Sequence, residues 1–272
     1  MSDYAVFISS ADSYSDLWPV FFRLFKKYWP EFNGKIYLQT QEKHFEYPGL
    51  NIECTNVGKL KGFGTTLLAG LNKVSEENIL FFLIDFIFMG RVDDNKVQEY
   101  YEHFCDQKLH TFVLCRQPFQ NIRPSKRSDC QVAVPPCPRR MFSYQVAFWK
   151  KQVLTDIILP HEDPWMSEFY GSARAEKMMI REESLKATPP KPDMPIPYDP
   201  RGCLHQGKWL DNAIDFLKKE KIDVDFSKRG LYDDNKGYKS FRYRIKIKYI
   251  IWSTGLKGSW LDLLKRKPIH CD

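Results

Sequence analysis

The chain has 272 residues, enough for one α/β domain with a sizeable core or for two small domains. Its formal net charge of +7 suggests an anionic partner, such as a nucleotide diphosphate, a nucleic acid or a membrane surface. The sequence lacks the motifs of zinc proteases, P-loop NTPases, dinucleotide-binding enzymes and serine hydrolases. An aromatic content of 15 % suits either a cleft that binds a sugar or base, or a core rich in rings.

The first half of the chain alternates strand and helix patterns. Short apolar runs predict buried strands, and apolar residues spaced three or four apart predict helices, the first of which ends before Pro30. The run from Ile79 to Phe88 is apolar except for Asp85, which is typical of a central strand covered on both faces. The predicted strands span 4–9, 35–40, 50–57, 79–88 and 111–115, and the predicted helices 16–28, 64–74 and 94–104.

This alternation predicts an α/β fold with a doubly wound, mostly parallel sheet flanked by helices. Ligands of such sheets bind beyond the carboxyl ends of the strands. We therefore expect residues 9–12, Thr40 and Asp85 to lie along one rim of the sheet.

The second half is less regular, and its composition favours loops. The Pro- and Arg-rich stretch 117–140 predicts a long loop over the cleft, and the six prolines of 187–200 predict an extended surface passage. Helices are predicted within 142–156, 161–181 and 208–219. No linker marks a boundary, so we expect a single domain with a donor-binding half (about 1–115), an acceptor half (about 116–236) and a basic tail (237–272).

The cysteines and the N-terminal sequence bear on the compartment. Seven scattered cysteines without a CxxC pair fit a reducing environment, and neither they nor the histidines are spaced as zinc ligands. The first residues lack a signal-peptide pattern, and the apolar run 79–89 is too short to cross a bilayer. The expectation is a soluble cytosolic protein.

Asp85 is the most informative single residue. A carboxylate inside an apolar run is costly unless it is paired, hydrogen-bonded or bound to a cation. The segment Leu83-Ile84-Asp85-Phe86 followed by Val92-Asp93 resembles the donor motif of GT-A-fold glycosyltransferases, especially glycan-building enzymes of bacteria and of large DNA viruses such as the chlorella viruses. The simpler alternative is an aspartate that ends the strand and caps a turn.

The resemblance implies a UDP-sugar donor near Asp85 and Phe86, with xylose as the suggested sugar. Enzymes of this family usually have two acids here, but Ile84 replaces the first. We therefore expect either weak binding of Mn²⁺ or Mg²⁺ at Asp85, or neutralisation of the diphosphate by Lys and Arg side chains instead of a metal ion. In the second case Asp85 would contact the ribose or the donor sugar.

Other segments match the family in order and spacing. The opening segment implies that Ser9, Ala11 and Asp12 contact the base and ribose. Gly64 begins a helix whose N–H groups would face the donor, and His205 or Lys208 in a Gly-Lys-Trp turn would reach the diphosphate. An ordinary turn at Gly64 and an ordinary surface lysine at Lys208 are the alternatives.

The acceptor side is implied by the segment that begins at His161. Glu168 would act as the base that takes the proton of the acceptor hydroxyl, and Trp165 would stack on a sugar. Tyr144 and Gln145 are further predicted acceptor contacts. The alternative is that Glu168 caps a helix, with Glu162 and Asp163 solvated.

Together these features predict an inverting transfer of a sugar to a hydroxyl of a glycan. Two other classes remain open: a non-catalytic nucleotide- or glycan-binding protein on the same fold, and a basic nucleic-acid-binding protein. The aromatic and basic residues of 238–267 suit a packed C-terminal strand and helix, a peripheral membrane contact, or nucleic-acid binding, in that order.

Overall fold

Nine strands from the described residues form one mixed sheet, in the order β3-β2-β1-β4-β8-β5-β9-β7-β6. The computed structural model describes residues 3–117, 121–134, 142–186 and 194–233, and its internal contacts divide the chain into a first unit (1–202) and a second unit (203–272). The strands are β1 (Ala5–Ser9), β2 (Ile36–Leu38), β3 (Ile52–Cys54), β4 (Asn78–Leu83), β5 (Thr111–Arg116), β6 (Ile122–Pro124), β7 (Cys130–Ala133), β8 (Ala147–Lys150) and β9 (Glu182–Leu185).

Among the described residues of the first unit, five α-helices accompany this sheet, and the α/β class predicted from the sequence is confirmed. They are α1 (Trp18–Tyr28), α2 (Phe63–Leu71), α3 (Asp94–Asp106), α4 (Lys151–Ile157) and α5 (Pro164–Lys177). Helix α1 carries aromatic residues at helical spacing, and its Phe21 ring packs 6.2 Å from Phe82 and 5.5 Å from Phe88. The aromatic residues therefore build much of the core.

The strands β3, β2, β1 and β4 are parallel neighbours. The chain runs outward from β1 to β3 and then returns to place β4 on the other side of β1. The direction of winding therefore reverses between β1 and β4. Such a topological switch point leaves a crevice at the carboxyl ends of the two strands, where ligands of α/β sheets bind.

Strand β8 departs from the parallel pattern. It is antiparallel to both β4 and β5 and lies between them, with Phe81 opposite Ala147 and Val113 opposite the same residue. The sequence indicated only an apolar entry to a helix at this point. Val146 to Trp149 are buried, which is what a central strand requires.

The predicted central strand 79–88 is too long. Strand β4 ends at Leu83, and a turn follows in which the Phe86 N–H donates to the Leu83 carbonyl at 3.0 Å. The chain continues as an apolar but irregular segment, and Phe88 is fully buried. An apolar run thus persisted past the strand because the following loop is also part of the core.

Two predicted loops also need correction. Within 117–140, β6 and β7 pair antiparallel, and β7 is buried beside β9. Within 187–200, residues 187–193 lie outside the described part, but Ile196 and Tyr198 are 0 % and 4 % exposed rather than on the surface. The described part of this segment is irregular, with bends at Pro195 and Ile196, and the predicted surface position is wrong for Ile196 and Tyr198.

The second unit contains a short hairpin and a helix. Strands β10 (Leu204–His205) and β11 (Lys208–Trp209) are antiparallel, and the turn residues Gln206 and Gly207 have φ of 51° and 76°. Helix α6 (Asp211–Lys219) starts later than the predicted 208, because 208–209 belong to the hairpin. The basic tail lies outside the described residues. No helix in the described ranges is long and apolar enough to cross a membrane.

Helix α5 is attached to the segment before it by a buried ion pair. Arg174 donates from Nη1 to Glu162 Oε1 at 2.8 Å and from Nε to the Ile157 carbonyl at 2.6 Å, and a second guanidinium nitrogen bonds Glu162 Oε2. Both side chains are 3 % exposed or less. The predicted solvation of Glu162 is therefore wrong.

We expect Arg174→Met to lower the free energy of unfolding by about 3–5 kcal/mol, because it leaves the Glu162 carboxylate buried without its partner. The double variant Glu162→Leu/Arg174→Met should recover most of this loss, since no charge stays buried. Urea denaturation of the wild-type protein and both variants measures the two effects. Equal destabilisation by the single and double variants would contradict the explanation.

Candidate active site at the carboxyl ends of β1 and β4

The structure brings residues 9–12 and 84–86 together at one rim of the sheet. Ser9 pairs with Leu83 at the ends of β1 and β4, and the Ile84 N–H donates to the Ser9 carbonyl at 3.0 Å. The chain segments that leave these strands therefore start side by side at the topological switch point. This is the arrangement that the strand pattern predicted.

Asp85 is a partly exposed carboxylate in the turn that follows β4. Within the described ranges, no other residue provides a hydrogen bond or an ion pair to its carboxylate. Burial raises its pKa to about 7, because a charged carboxylate loses solvation there. The strand does end at this turn, as the simpler alternative held, but the carboxylate caps no backbone group of a neighbouring residue. An unpaired carboxylate with a pKa near neutrality is typical of functional sites.

The serine hydroxyls after β1 bond within the protein. Ser9 Oγ donates to Gln39 Oε1 at 3.3 Å, and Ser10 Oγ accepts from Trp18 Nε1 at 2.8 Å. Both serines are buried. Ala11 is partly exposed, and its carbonyl accepts from the Tyr14 N–H. Donor contacts of Ser9 and Ala11 stay predictions.

Asp12 holds the loop that follows β2. Its two carboxylate oxygens accept from the backbone N–H groups of Gln41, Glu42 and Lys43 at 2.8, 2.9 and 3.0 Å. Partial burial favours the neutral form, but these three amides outweigh it and lower the pKa of Asp12. The observed role of Asp12 is to fix this loop beside the end of β1, and its contact with a donor stays a prediction.

Gly64 lies where α2 meets the segment before α5. Its N–H donates to the Glu162 carbonyl at 3.1 Å, and a Cβ at this position would lie 2.1 Å from the Leu159 carbonyl oxygen. The glycine is required for this close approach, and its amide is already bonded. A donor contact of Gly64 stays a prediction, and packing is its observed role.

Glu168 lies on α5 and faces the start of β8. Its Oε1 accepts from the Tyr144 N–H at 2.8 Å. Phe81, near the end of β4, pairs with Ala147 at the start of β8, and the Tyr144 ring lies 5.7 Å from that of Phe81. The Tyr144 amide that Glu168 binds is therefore at the end of the sheet where β4 leads into Asp85. Burial raises the pKa of Glu168 above its usual range, although the Tyr144 amide opposes this.

Glu168 is not the cap of its helix. The side chain of Asp163 caps α5 by accepting from the Met166 N–H at 2.8 Å. The alternative explanation for Glu168 is therefore wrong, and among the described residues its carboxylate is bonded by the Tyr144 N–H.

The three predicted acceptor residues differ in exposure. Trp165 is 64 % exposed, whereas Tyr144 is 2 % exposed and shares a 2.6 Å hydrogen bond between its hydroxyl and Ser167 Oγ. Gln145 is partly exposed, and its amide bonds the Pro200 carbonyl and the Tyr198 hydroxyl. Only Trp165 offers a largely free ring, and the Tyr144 side chain belongs to the core.

Phe86 supports the Asp85 turn from within. It is 4 % exposed, and its ring lies 4.9 Å from that of Tyr198. Tyr198 was missed by the sequence analysis because its proline-rich segment resembled a surface passage. The spacing of Ile196 and Tyr198 between prolines was the available signal, since alternate residues of an extended segment share a face.

His205 and Lys208 lie on the hairpin of the second unit. The His205 ring packs 4.5 Å from Tyr232, and Lys208 is exposed. Their contact with the diphosphate of a donor stays a prediction.

The described residues supply few metal ligands. They contain no group of three or more His, Cys, Asp or Glu side chains that could hold a metal ion. Asp85 is a single carboxylate beside the apolar Ile84, which is 4 % exposed. This donor set suits only an ion that takes most of its oxygen ligands from substrate phosphates and water, as Mg²⁺ does.

The geometry defines an α/β protein with Asp85 at the topological switch point of its sheet and Glu168 beside the entry to β8, neither of them in an ion pair with a described residue. No protein-family model matches the sequence, and no curated protein is significantly similar to it. Structural similarity is found to S. aureus TarS residues 1–349 (13 % identity, TM-score 0.43, 68 % of this chain and 58 % of that one) and to its complex with UDP-GlcNAc (9 %, 0.44, 83 % and 69 %).

A third similar structure is 2-C-methyl-D-erythritol 4-phosphate cytidylyltransferase from Thermus thermophilus, with 13 % identity, a TM-score of 0.44, and coverage of 80 % of this chain and 96 % of that one. This chain spans little more than half of the TarS fragment named first. At these values the activity has to be inferred from the residues of this chain.

We expect Asp85→Asn to stabilise the protein at pH 8 by about 1–2 kcal/mol, because the native state disfavours the charged form of Asp85 and its partial exposure weakens the effect. Because the pKa of Asp85 is higher in the native state than in the unfolded state, the free energy of unfolding of the wild-type protein falls as pH rises from about 4 to about 7. Urea denaturation from about pH 3.5 to 8 checks this. The stabilisation by Asp85→Asn should vanish at the acid end of this range. A stabilisation that does not depend on pH would contradict the raised pKa of Asp85.

We expect Gly64→Ala to lower the free energy of unfolding by about 1–3 kcal/mol, because the new methyl group meets a backbone carbonyl that cannot rotate away. Gly90→Ala is the matched control, since its Cβ would lie at an ordinary 3.4 Å from the Pro197 side chain. Chemical denaturation of both variants measures the two changes in the free energy of unfolding. Equal effects would show that close approach is not the reason for Gly64.

Proposed function

We propose that this protein transfers a sugar from a nucleotide-sugar donor to a hydroxyl group of a glycan. The proposal is supported by one observation above all: Asp85 and the Tyr144 amide that holds Glu168 lie at the same end of the sheet, and both carboxylates are partly buried, have a raised pKa and lack an ion-pair partner among the described residues. Such carboxylates are poised for proton transfer and for ligand binding near neutral pH.

Glu168 is the proposed general base. The Tyr144 amide holds Oε1 and so orients the carboxylate, while Oε2 has no hydrogen-bond partner in the described ranges. As the acceptor oxygen bonds to the anomeric carbon, its proton moves to Glu168 and the bond from that carbon to the diphosphate breaks. The raised pKa makes Glu168 a stronger base, and single displacement inverts the anomeric centre.

Asp85 is the proposed donor-side carboxylate. It would contact the donor directly or be the one protein ligand of a Mg²⁺ or Mn²⁺ ion held mainly by phosphate oxygens, and such an ion supplies positive charge to the leaving diphosphate. UDP as the nucleotide and xylose as the sugar follow only from the motif resemblance to chlorella-virus enzymes. Further donor contacts are proposed at Ser9, Ala11, Asp12, Gly64, Phe86, His205 and Lys208.

Trp165 is the proposed acceptor platform. Its indole, 64 % exposed, leaves apolar surface in contact with water, and it offers a flat face on which a sugar ring stacks. It lies three residues before Glu168 on α5, so both side chains are on neighbouring positions of one helix.

A non-catalytic nucleotide- or glycan-binding protein is the second candidate. The apolar, buried Ile84 favours it, because this position usually carries an acid in the family that the sequence resembles. Binding without turnover would identify this class.

Transfer and donor-hydrolysis assays over a panel of UDP-sugars, including UDP-xylose, test the proposal. We expect Glu168→Gln to lower kcat by about 10²–10⁴-fold with little change in donor Kd, because it removes the base alone. Glu176→Gln is the matched control, since it lies two turns further along the same helix.

Asp85→Asn should weaken donor binding in titration calorimetry, which separates its role from that of Glu168. If no UDP-sugar binds to the wild-type protein, the proposed function is wrong. If donors bind and none is turned over, the protein belongs to the non-catalytic class.

A further inference from the structure

A strap of chain, residues 194–200, runs antiparallel beside the segment that follows the Asp85 turn. The Met89 N–H donates to the Pro197 carbonyl at 2.8 Å, and the Asp93 N–H donates to the Pro195 carbonyl at 2.9 Å. Ile196, between the two bonded carbonyls in sequence, is fully buried. The strap therefore fixes the chain just beyond Asp85.

Tyr198 is the residue of the strap that links it to the site. It is 4 % exposed, and its ring lies 4.9 Å from that of Phe86, the neighbour of Asp85. Its hydroxyl donates to Gln145 Oε1 at 2.9 Å and accepts from the Val146 N–H at 3.3 Å. One side chain thus contacts both the Asp85 turn and the entry to β8.

The entry to β8 is also the support of Glu168. Tyr144, whose N–H bonds Glu168 Oε1, directly precedes the two residues that the Tyr198 hydroxyl holds. The Gln145 side chain in turn donates to the Pro200 carbonyl at 3.0 Å, which closes the connection back to the strap. These bonds restrict the backbone on which the Glu168 contact depends.

We propose that Tyr198 is a positioning residue that holds Asp85 and Glu168 in one fixed geometry across the site. It touches neither carboxylate. The Tyr198 ring supports the Asp85 turn through Phe86. The Tyr198 hydroxyl fixes the backbone that orients Glu168. The expected loss of kcat rests on the proposed function, whereas the positioning of Glu168 by Tyr198 does not.

The test replaces Tyr198 by Phe, which keeps the ring and removes the hydroxyl. Tyr101→Phe is the matched control: Tyr101 is also 4 % exposed, and its hydroxyl likewise has two partners, the Asp3 carbonyl at 2.9 Å and Asn78 Nδ2 at 3.1 Å. Those partners lie at the opposite ends of β1 and β4 from the site.

We expect Tyr198→Phe to lower kcat about ten- to a hundredfold while the donor KM changes less than about threefold, because a misplaced base slows chemistry more than binding. Tyr101→Phe should leave both unchanged although it also loses a buried hydroxyl. Gln145→Met removes the partner of the Tyr198 hydroxyl and should reproduce the Tyr198→Phe kinetics if that variant does not fold. Unchanged kcat in both variants overturns the proposal.

A second readout needs no activity. Glu168→Gln should stabilise the wild-type protein increasingly as pH rises above the usual carboxylate range, because the native state disfavours the charged Glu168. The ionisable groups around Tyr144 are Glu162, Glu168 and Arg174, and none of them is altered by Tyr198→Phe. In the Tyr198→Phe background this pH-dependent gain should shrink as Glu168 loses its fixed, partly buried position.

The two readouts separate the two hypotheses. A wild-type protein without transfer activity refutes the proposed function, and the unfolding experiment still decides the role of Tyr198. A pH-dependent gain of equal size in the wild-type, Tyr198→Phe and Tyr101→Phe backgrounds shows that Tyr198 does not position Glu168.

Discussion

The parallel pairing of β1 with β4 is the constraint on which the site depends. Five consecutive pairs, from Ala5 with Ile79 to Ser9 with Leu83, join two strands that are buried almost throughout. A slip of one residue would turn every side chain to the opposite face of the sheet, so this register is strongly specified. Because both strands end at the same level, the segments that follow them must begin side by side.

The protein treats its buried charges in two different ways. Glu162 and Arg174 neutralise each other and satisfy their hydrogen bonds, so they hold α5 in place. Asp85 has no such partner in the described part of the chain, and Glu168 has only one backbone amide there. Leaving carboxylates partly buried and unpaired lowers stability, and proteins keep such groups mainly where function requires them. This contrast distinguishes a supporting interaction from a candidate active site.

The elements that could be predicted are those whose signal is local. Apolar runs located β1, β2 and β4, and the spacing of Phe21 and its neighbours located α1, because burial on both faces or on one helix face leaves a short-range pattern. Strand β8 and the β6–β7 hairpin were missed because their positions in the sheet depend on partners distant in sequence. The position of Asp85 at the rim was predictable, whereas the roles of Asp12, Gly64 and Tyr198 depend on contacts that no local pattern encodes.

The position of β8 has a consequence for how the chain folds. It lies between β4 and β5 but is synthesised after both, so a nascent chain that ends before Lys150 has two apolar strands with open edges and no partner to join them. Non-local strand insertion of this kind slows folding and lengthens the exposure of aggregation-prone edges. The edges of β4 and β5 that β8 covers therefore stay open from the release of β5 to the release of β8, and the other edge of β5 stays open until β9 follows.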